Sequence, residues 1–284
     1  MKVVGLVLHP GRDCTGAMYT LLGWARSRGV TVLTLEHERD RVPGDTELAT
    51  PEDLARRSSL VVSLGGDGTM LRALRLCWGT QTPVLGVNVG KLGFLAEIDP
   101  PELGDALSAI DEHRFTVEAR SGVQASFGGQ QTIAFNDVDL ARIPGHGSAA
   151  VVELTVESHP FVRYAADAVI VATPTGSTAY SFSAGGPIVS PNVAGLLVTP
   201  AAPHSAFNRA LFLSGQEKLA LTVLPTSGEL AVEADGIVVG RVRPGDRVDL
   251  DTVPDAAWVV RLGRTTFYQR AQRKLSVTGS LEAY

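Results

Sequence analysis

Two short runs hold the residues best suited to chemistry in this 284-residue chain. The first reads Gly65-Gly66-Asp67-Gly68-Thr69 and follows an apolar stretch at 60–64. Glycine lets a ligand approach the backbone closely and accepts φ angles closed to other residues. Free N–H groups at the start of a helix favour an anion, phosphate above all. Asp67 narrows the reading, because a carboxylate among such amides repels phosphate unless a cation or a substrate hydroxyl lies between. It is a candidate general base for a hydroxyl nucleophile, or a candidate ligand to Mg²⁺. Both roles belong to phosphoryl transfer, where positioning and charge neutralisation do most of the work. The plain alternative is a tight strand–helix turn. No lysine follows as in a Walker A loop, and the glycine spacing does not complete a dinucleotide fingerprint.

The second run, residues 173–187, reads Thr-Pro-Thr-Gly-Ser-Thr-Ala-Tyr-Ser-Phe-Ser-Ala-Gly-Gly-Pro. Seven hydroxyl side chains fall between Thr173 and Ser183, a density that suits a polar, uncharged partner such as a ribose or a base edge. Tyr180 adds a ring face for stacking. A hydroxyl-rich capping turn is the alternative. A serine hydrolase is a poor reading, since Gly176-Ser177-Thr178-Ala179-Tyr180 lacks the closing glycine of a nucleophile elbow.

These runs need a scaffold, and the pattern around them supplies one. Apolar strands at 3–8, 30–35, 60–64 and 84–87 alternate with helical spacing at 16–29, 69–76 and 101–114. A further helix starts at Thr50 as N-cap, ahead of Pro51-Glu52-Asp53. Continuous apolar strands alternating with helices predict a parallel sheet covered on both faces. The first run then sits at the carboxyl end of a parallel strand, where open α/β sheets bind ligands. From 116 onward short strands and turn residues dominate, including single strands at 131–140 and 168–172. The expected organisation is an α/β domain over 1–115, a β-rich domain over 116–265, and a segment 266–284 whose helix packs back on the first domain. The charged run 36–41 is expected as an exposed loop.

Composition excludes several classes. A net charge of −5 argues against nucleic acid as the main partner. Two cysteines, Cys14 and Cys77, make neither a disulfide framework nor a zinc cluster and fit a reducing cytosol. The opening residues read as a strand, not a signal peptide, and no stretch is long enough to span a bilayer. The expectation is a cytoplasmic protein with no membrane association.

Gly-Gly-Asp-Gly-Thr marks a superfamily that includes lipid kinases, but joined to the second run it resembles the NAD kinase family. Supporting stretches are 86–95 (Gly-Val-Asn-Val-Gly-Lys-Leu-Gly-Phe-Leu), 135–138, 200–205, 233–236, Phe267-Tyr268 and Lys274-Leu275. The resemblance spans nearly the whole chain, in the family's order. It implies transfer of a phosphoryl group from ATP or polyphosphate to the 2′-hydroxyl of the adenosine ribose of NAD. It implies Asp67 as the activating carboxylate, and Gly65, Gly66, Gly68, Thr69 and Arg72 at the phosphates. Asn136, Asp137, Asp167, Ser177, Thr178, Ala179, Tyr180 and Ser183 would bind NAD. Mg²⁺ or a similar cation and a homodimer or homotetramer are also implied, with no metal ligand assigned beyond a possible role for Asp67. The sequence departs from the family's pattern at Asp137 (more often Glu), Ala168 (usually Gly), Ala210 (often Pro) and 276–279. A kinase acting on another adenosine-like acceptor, a lipid kinase and a non-catalytic dinucleotide sensor are the competing readings.

Overall fold

The computed structural model describes residues 2–90, 93–145 and 149–275; Lys91, Leu92 and 276–279 lie outside the described residues. The chain forms two compact units, Met1–Ala119 with Ala257–Tyr284, and Arg120–Ala256. The divisions, at 119/120 and 256/257, fall within two long strands.

Unit 1 begins β1 (Val3–Leu8), α1 (Thr15–Arg28), β2 (Thr31–Leu35), β3 (Glu47–Ala49), α2 (Pro51–Arg57) and β4 (Leu60–Gly65). It continues α3 (Asp67–Leu76), β5 (Pro83–Asn88) and α4 (Leu103–Asp111). The strands order as β3-β2-β1-β4-β5, all parallel, which is the α/β sheet expected. Leu6, Leu8, Val62 and Leu64 pack with Met18, Leu21 and Leu22 of α1 and Leu103, Leu107 and Ile110 of α4. The opposite face meets α2: a Cβ at Gly5 would stand 2.8 Å from Leu54 Cδ2. Helix α2 starts as its sequence dictates, with the Thr50 hydroxyl accepting the Asp53 N–H at 3.2 Å.

Unit 2 contains β6 (Thr116–Phe127, entering from unit 1), β7 (Gln130–Ala134), β8 (Asp137–Arg142), β9 (Ala150–Val156), β10 (His159–Ala166) and β11 (Ala168–Ala172). It adds α5 (Tyr180–Ser183), β12 (Gly195–Ala201), β13 (Leu211–Ser214), β14 (Leu219–Val223), β15 (Leu230–Ala234), β16 (Ile237–Val242) and β17 (Arg247–Arg261). An antiparallel sheet orders β13-β12-β11-β8-β15-β16, and β10-β9-β14-β17 form a second. Val138, Leu140, Val169 and Val171 share one core with Val152, Leu154, Leu221 and Leu250, so the sheets pack through alternate residues. The residues between, Ala168, Ile170 and Ala172, join a smaller cluster with Leu197 and Ala201. That two-sided burial explains the unbroken apolar run of β11, and it gives the Ala168 methyl an apolar place.

The strand expected at 131–140 is in fact two, β7 and β8, broken at Phe135-Asn136. The run 36–41 is a 3₁₀ turn, and Glu38 within it is buried, not exposed. The end of β17 returns to unit 1, where Trp258 and Val259 lie parallel to Pro83 and Val84. The last described element, α6 (Phe267–Leu275), also belongs to unit 1. Thr266 and Gln269 cap it reciprocally, side chain to backbone, at 2.8 and 3.2 Å. Among the described residues no helix is long and apolar enough to cross a membrane.

Candidate active site

In unit 1 the Gly65–Thr69 run is the turn from β4 into α3. Gly65 has to be glycine, because a Cβ there would fall 2.1 Å from Thr69 Oγ1. Thr69 is buried, and its hydroxyl has no hydrogen-bond partner among the described residues. Asp67 is the first residue of α3, and its carboxylate is held by the loop after β5. Oδ2 accepts the Phe94 N–H and Oδ1 the Leu95 N–H, each at 3.0 Å. Lys274 Nζ of α6 donates to Oδ2, also at 3.0 Å, and lies 4.6 Å from the centroid of the Phe94 ring. Gly93 backs directly on the carboxylate: a Cβ there would be 2.2 Å from Oδ1 and 2.8 Å from Cγ.

Basic groups gather beside this turn, at the carboxyl end of β1. Arg12 Nη1 donates to the Val89 carbonyl and passes 3.7 Å from where a Cβ of Gly66 would be. Arg41 Nη2 donates to the Arg12 carbonyl at 3.0 Å. Both arginines line a cavity of about 340 Å³ with Leu8, Pro10, Cys14 and Thr15. His9 Nδ1 accepts the N–H groups of Gly11 and Arg12, which requires that nitrogen to be unprotonated. Burial and the Arg12, Arg41 and Arg72 charges hold its pKa below the ordinary imidazole value. Arg72 itself is engaged within the fold, with Nη2 donating to Glu38 Oε1 at 2.9 Å and to the Leu8 carbonyl. Glu38 also accepts the Leu8 N–H at 3.2 Å, so β1, α3 and the 3₁₀ turn are tied through one carboxylate.

Unit 2 assembles the second set. The break between β7 and β8 is fixed by Asp235, whose Oδ1 accepts the N–H groups of Phe135 (3.0 Å), Asn136 (2.7 Å) and Asp137 (3.4 Å). Asp235 and Gly236 both take positive φ, +49° and +74°, making the two-residue turn between β15 and β16. Thr173 then joins the break to the second motif: its hydroxyl donates to the Phe135 carbonyl (2.6 Å) and its N–H to the Asn136 carbonyl (2.8 Å). Gly176 lies against Asn136, where a Cβ would be 2.0 Å from the carbonyl oxygen.

The hydroxyls of the second motif divide into two groups. Thr173, Ser177 and Ser181 are fully buried. Ser177 Oγ donates to the Pro174 carbonyl at 2.7 Å and accepts the Val189 N–H at 3.0 Å, and Ser181 pairs with Thr199 at 2.8 Å. Thr178, Ala179, Tyr180 and Ser183 reach the surface, Tyr180 being 42% exposed. The backbone N–H of Tyr180 bonds Asp137, joining the motif to β8 a second time. Asp167 is paired with Arg142, Nε to Oδ1 at 2.5 Å.

Asp137 and Asp139, on the same face of β8, are buried, and Asp137 Oδ2 and Asp139 Oδ1 have no hydrogen-bond partner among the described residues. Burial pushes both carboxyls well above the usual carboxylate range, with Asp235 and Glu233 adding repulsion at both and Asp137 adding it at Asp139. The same burial and neighbouring acids, Asp139 foremost, raise the Tyr180 phenol. The roles of Gly93, Lys274, Asp235, Asp139, Arg12 and Arg41 went unread in the sequence, although several lie in stretches that carry the family resemblance.

Residues 16–115 match the ATP-NAD kinase N-terminal domain, and residues 135–262 match the ATP-NAD kinase C-terminal domain. NAD kinase 1 of Streptomyces avermitilis is 36% identical, over 97% of this chain and 87% of the relative. The NAD kinase of Desulforamulus reducens is 35% identical over 97% of both chains. The crystal structure of yeast NADH kinase complexed with NADH superposes with a TM-score of 0.89 at 26% identity, over 99% of this chain and 89% of that one. The NAD kinase of Archaeoglobus fulgidus, at 24% identity and a TM-score of 0.75, shares the fold over 98% of this chain and 100% of its own. With both domains matched in order, and relatives of that identity along nearly its full length, the chain belongs to the ATP-NAD kinase family.

Proposed function

We propose that this chain transfers the γ-phosphoryl group of ATP to the 2′-hydroxyl of the adenosine ribose of NAD, giving NADP and ADP. Family membership supports the reaction, and the observation that carries the mechanism is the fixed carboxylate of Asp67 at the start of α3. A secondary hydroxyl is a weak nucleophile and needs a positioned base. As the O2′–Pγ bond forms and the bond from Pγ to the β,γ-bridging oxygen breaks, the hydroxyl proton passes to Asp67 and ADP leaves with the bridging electron pair. The amides of Gly65, Gly66, Gly68 and Thr69 are the natural partners of the donor phosphates. Arg12 and Arg41, beside that turn, supply positive charge to the same polyanion, and Arg72 braces the wall behind them.

In unit 2, Asn136 and Asp137 would take the adenosine, with Thr178, Ala179, Tyr180 and Ser183 as the surface that meets it. Ser177 acts from beneath by holding the turn. Asp167 is assigned to the nicotinamide side, with Arg142 steadying it. The yeast relative is named for NADH, so the reduced dinucleotide belongs in the acceptor panel.

Among the described residues there is no cluster of three His, Cys, Asp or Glu side chains able to hold a metal. Asp67 offers one carboxylate beside the phosphate turn. That donor set fits Mg²⁺, which is commonly held by one or two carboxylates, substrate phosphates and water. When bound, the cation supplies charge neutralisation for the triphosphate. A homodimer or homotetramer in the cytoplasm, with polyphosphate as an alternative donor, completes the proposal.

The test is NADP formation by the purified protein with ATP, Mg²⁺ and NAD, beside Asp67→Asn. Wild-type turnover with near-complete loss in the variant, and NAD binding retained, supports the proposal. Equal NADP formation by both proteins removes Asp67 from the mechanism. Binding without turnover in the wild type favours the sensor reading, and turnover confined to another adenosine nucleotide favours an altered acceptor.

A further inference from the structure

Asp67 poses an electrostatic problem: an anion at the head of a phosphate-binding turn opposes the ligand that the turn attracts. Helix α6 brings a cation to that point. Its residues Phe267, Arg270, Ala271 and Lys274 recur at helical spacing and so share one face. Arg270 and Ala271 are buried, and Arg270 Nη1 donates to the buried Glu97 at 3.3 Å. Glu97 also receives Arg261 Nη1 at 2.9 Å and the Leu262 N–H at 2.8 Å. Phe267 lies 6.3 Å from the Phe94 ring. The helix is therefore anchored independently of Lys274. Lys274 and Asp67 have side chains 33% and 26% exposed, and an ion pair that open contributes little to folding stability.

We infer that Lys274 is a positioning residue for phosphoryl transfer, its ammonium holding Asp67 Oδ2 and offsetting the carboxylate's repulsion of the donor phosphates, with Oδ1 left to take the proton of the acceptor hydroxyl. The assignment rests on the proposed NAD phosphorylation, and the distribution of contacts carries it. Oδ2 has two donors, the Phe94 amide and Lys274, whereas Oδ1 has only the Leu95 amide among the contacts described. The less engaged oxygen is the one with lone-pair capacity for a hydroxyl. Lys274 also spans Phe94, whose amide holds the same Oδ2, so one cation steadies both the carboxylate and the loop that grips it.

The experiment compares wild type, Lys274→Ala and Lys274→Arg by steady-state kinetics, with unfolding temperatures measured alongside. For Lys274→Ala the expected result is a fall in kcat of about 10- to 100-fold with the KM for NAD nearly unchanged, the scale for losing one charged hydrogen bond. Lys274→Arg, which keeps the cation, recovers most of that loss, and ethylammonium added to Lys274→Ala raises its kcat in a saturable manner. An unchanged kcat in Lys274→Ala, a loss confined to KM, or an equal loss in Lys274→Arg without amine rescue overturns the inference while leaving NAD phosphorylation intact. A folded wild type that forms no NADP overturns the activity itself, and the inference with it.

Discussion

Gly93→Ala isolates the geometry of the Asp67 carboxylate, the base in the proposed reaction. The Ala methyl would lie 2.2 Å from Asp67 Oδ1 and 2.8 Å from Cγ, and real Cβ atoms essentially never come within 3.0 Å of a neighbour. Relief requires the carboxylate or the loop to retreat by roughly 0.8 Å, stretching the hydrogen bonds from Phe94 and Leu95. A displacement of about 1 Å in a reacting group costs on the order of 100-fold in rate, which is about 2.7 kcal/mol of transition-state stabilisation. The substituted residue lies in a loop outside both helix and strand, so the unfolding temperature should stay within a few degrees of wild type. The assay is kcat for NADP formation at saturating ATP and NAD, with thermal unfolding as the control. A kcat within about threefold of wild type in a folded protein would refute the claim that Gly93 sets the position of Asp67.

Two further outcomes are expected from buried charge. Glu97→Gln removes the buried carboxylate that Arg261 and Arg270 share; chemical denaturation should show a loss of about 3 kcal/mol, and a loss below about 1 kcal/mol would count against it. Asp137 and Asp139 have folded pKa values above their unfolded ones, so the folded state holds protons that the unfolded chain releases. Their stabilisation is complete below about pH 4, the unfolded carboxylate value, and is lost as pH rises through the raised folded values. Asp139→Asn should therefore flatten the decline in unfolding free energy between pH 5 and pH 9, measured by urea titration; an unchanged slope would refute the assignment.

The turn from β4 into α3 was legible because its determinants are contiguous: an apolar strand, three glycines, one acid and a helix start within a few residues. What holds Asp67 was not, since Gly93 and the amides of Phe94 and Leu95 come from another loop and Lys274 from the far end of the chain. The hydroxyl density of 173–187 drew attention to one segment, yet composition cannot separate Thr173, Ser177 and Ser181, buried in internal hydrogen bonds, from Thr178 and Ser183 at the surface. Apolar alternation merged β7 with β8 because the break between them is imposed by Asp235, a residue some hundred positions away. Glu38 misled for a related reason: one of three acids in a charged run, it gives no sign that Arg72 and the β1 backbone draw it inward.

The route of the chain through unit 1 sets an order of assembly during synthesis. Unit 2 is one uninterrupted stretch, Arg120–Ala256, and its strand pairings are complete once that stretch has left the ribosome. Unit 1 emerges first but waits: Glu97 meets Arg261 and Arg270 only after all of unit 2 has been made. Until then a carboxylate destined for the interior has no counter-charge there, which disfavours early closure of the sheet around it. The part of the chain translated first is thus the last to reach its native state, and the cation that meets Asp67 arrives with the final described helix.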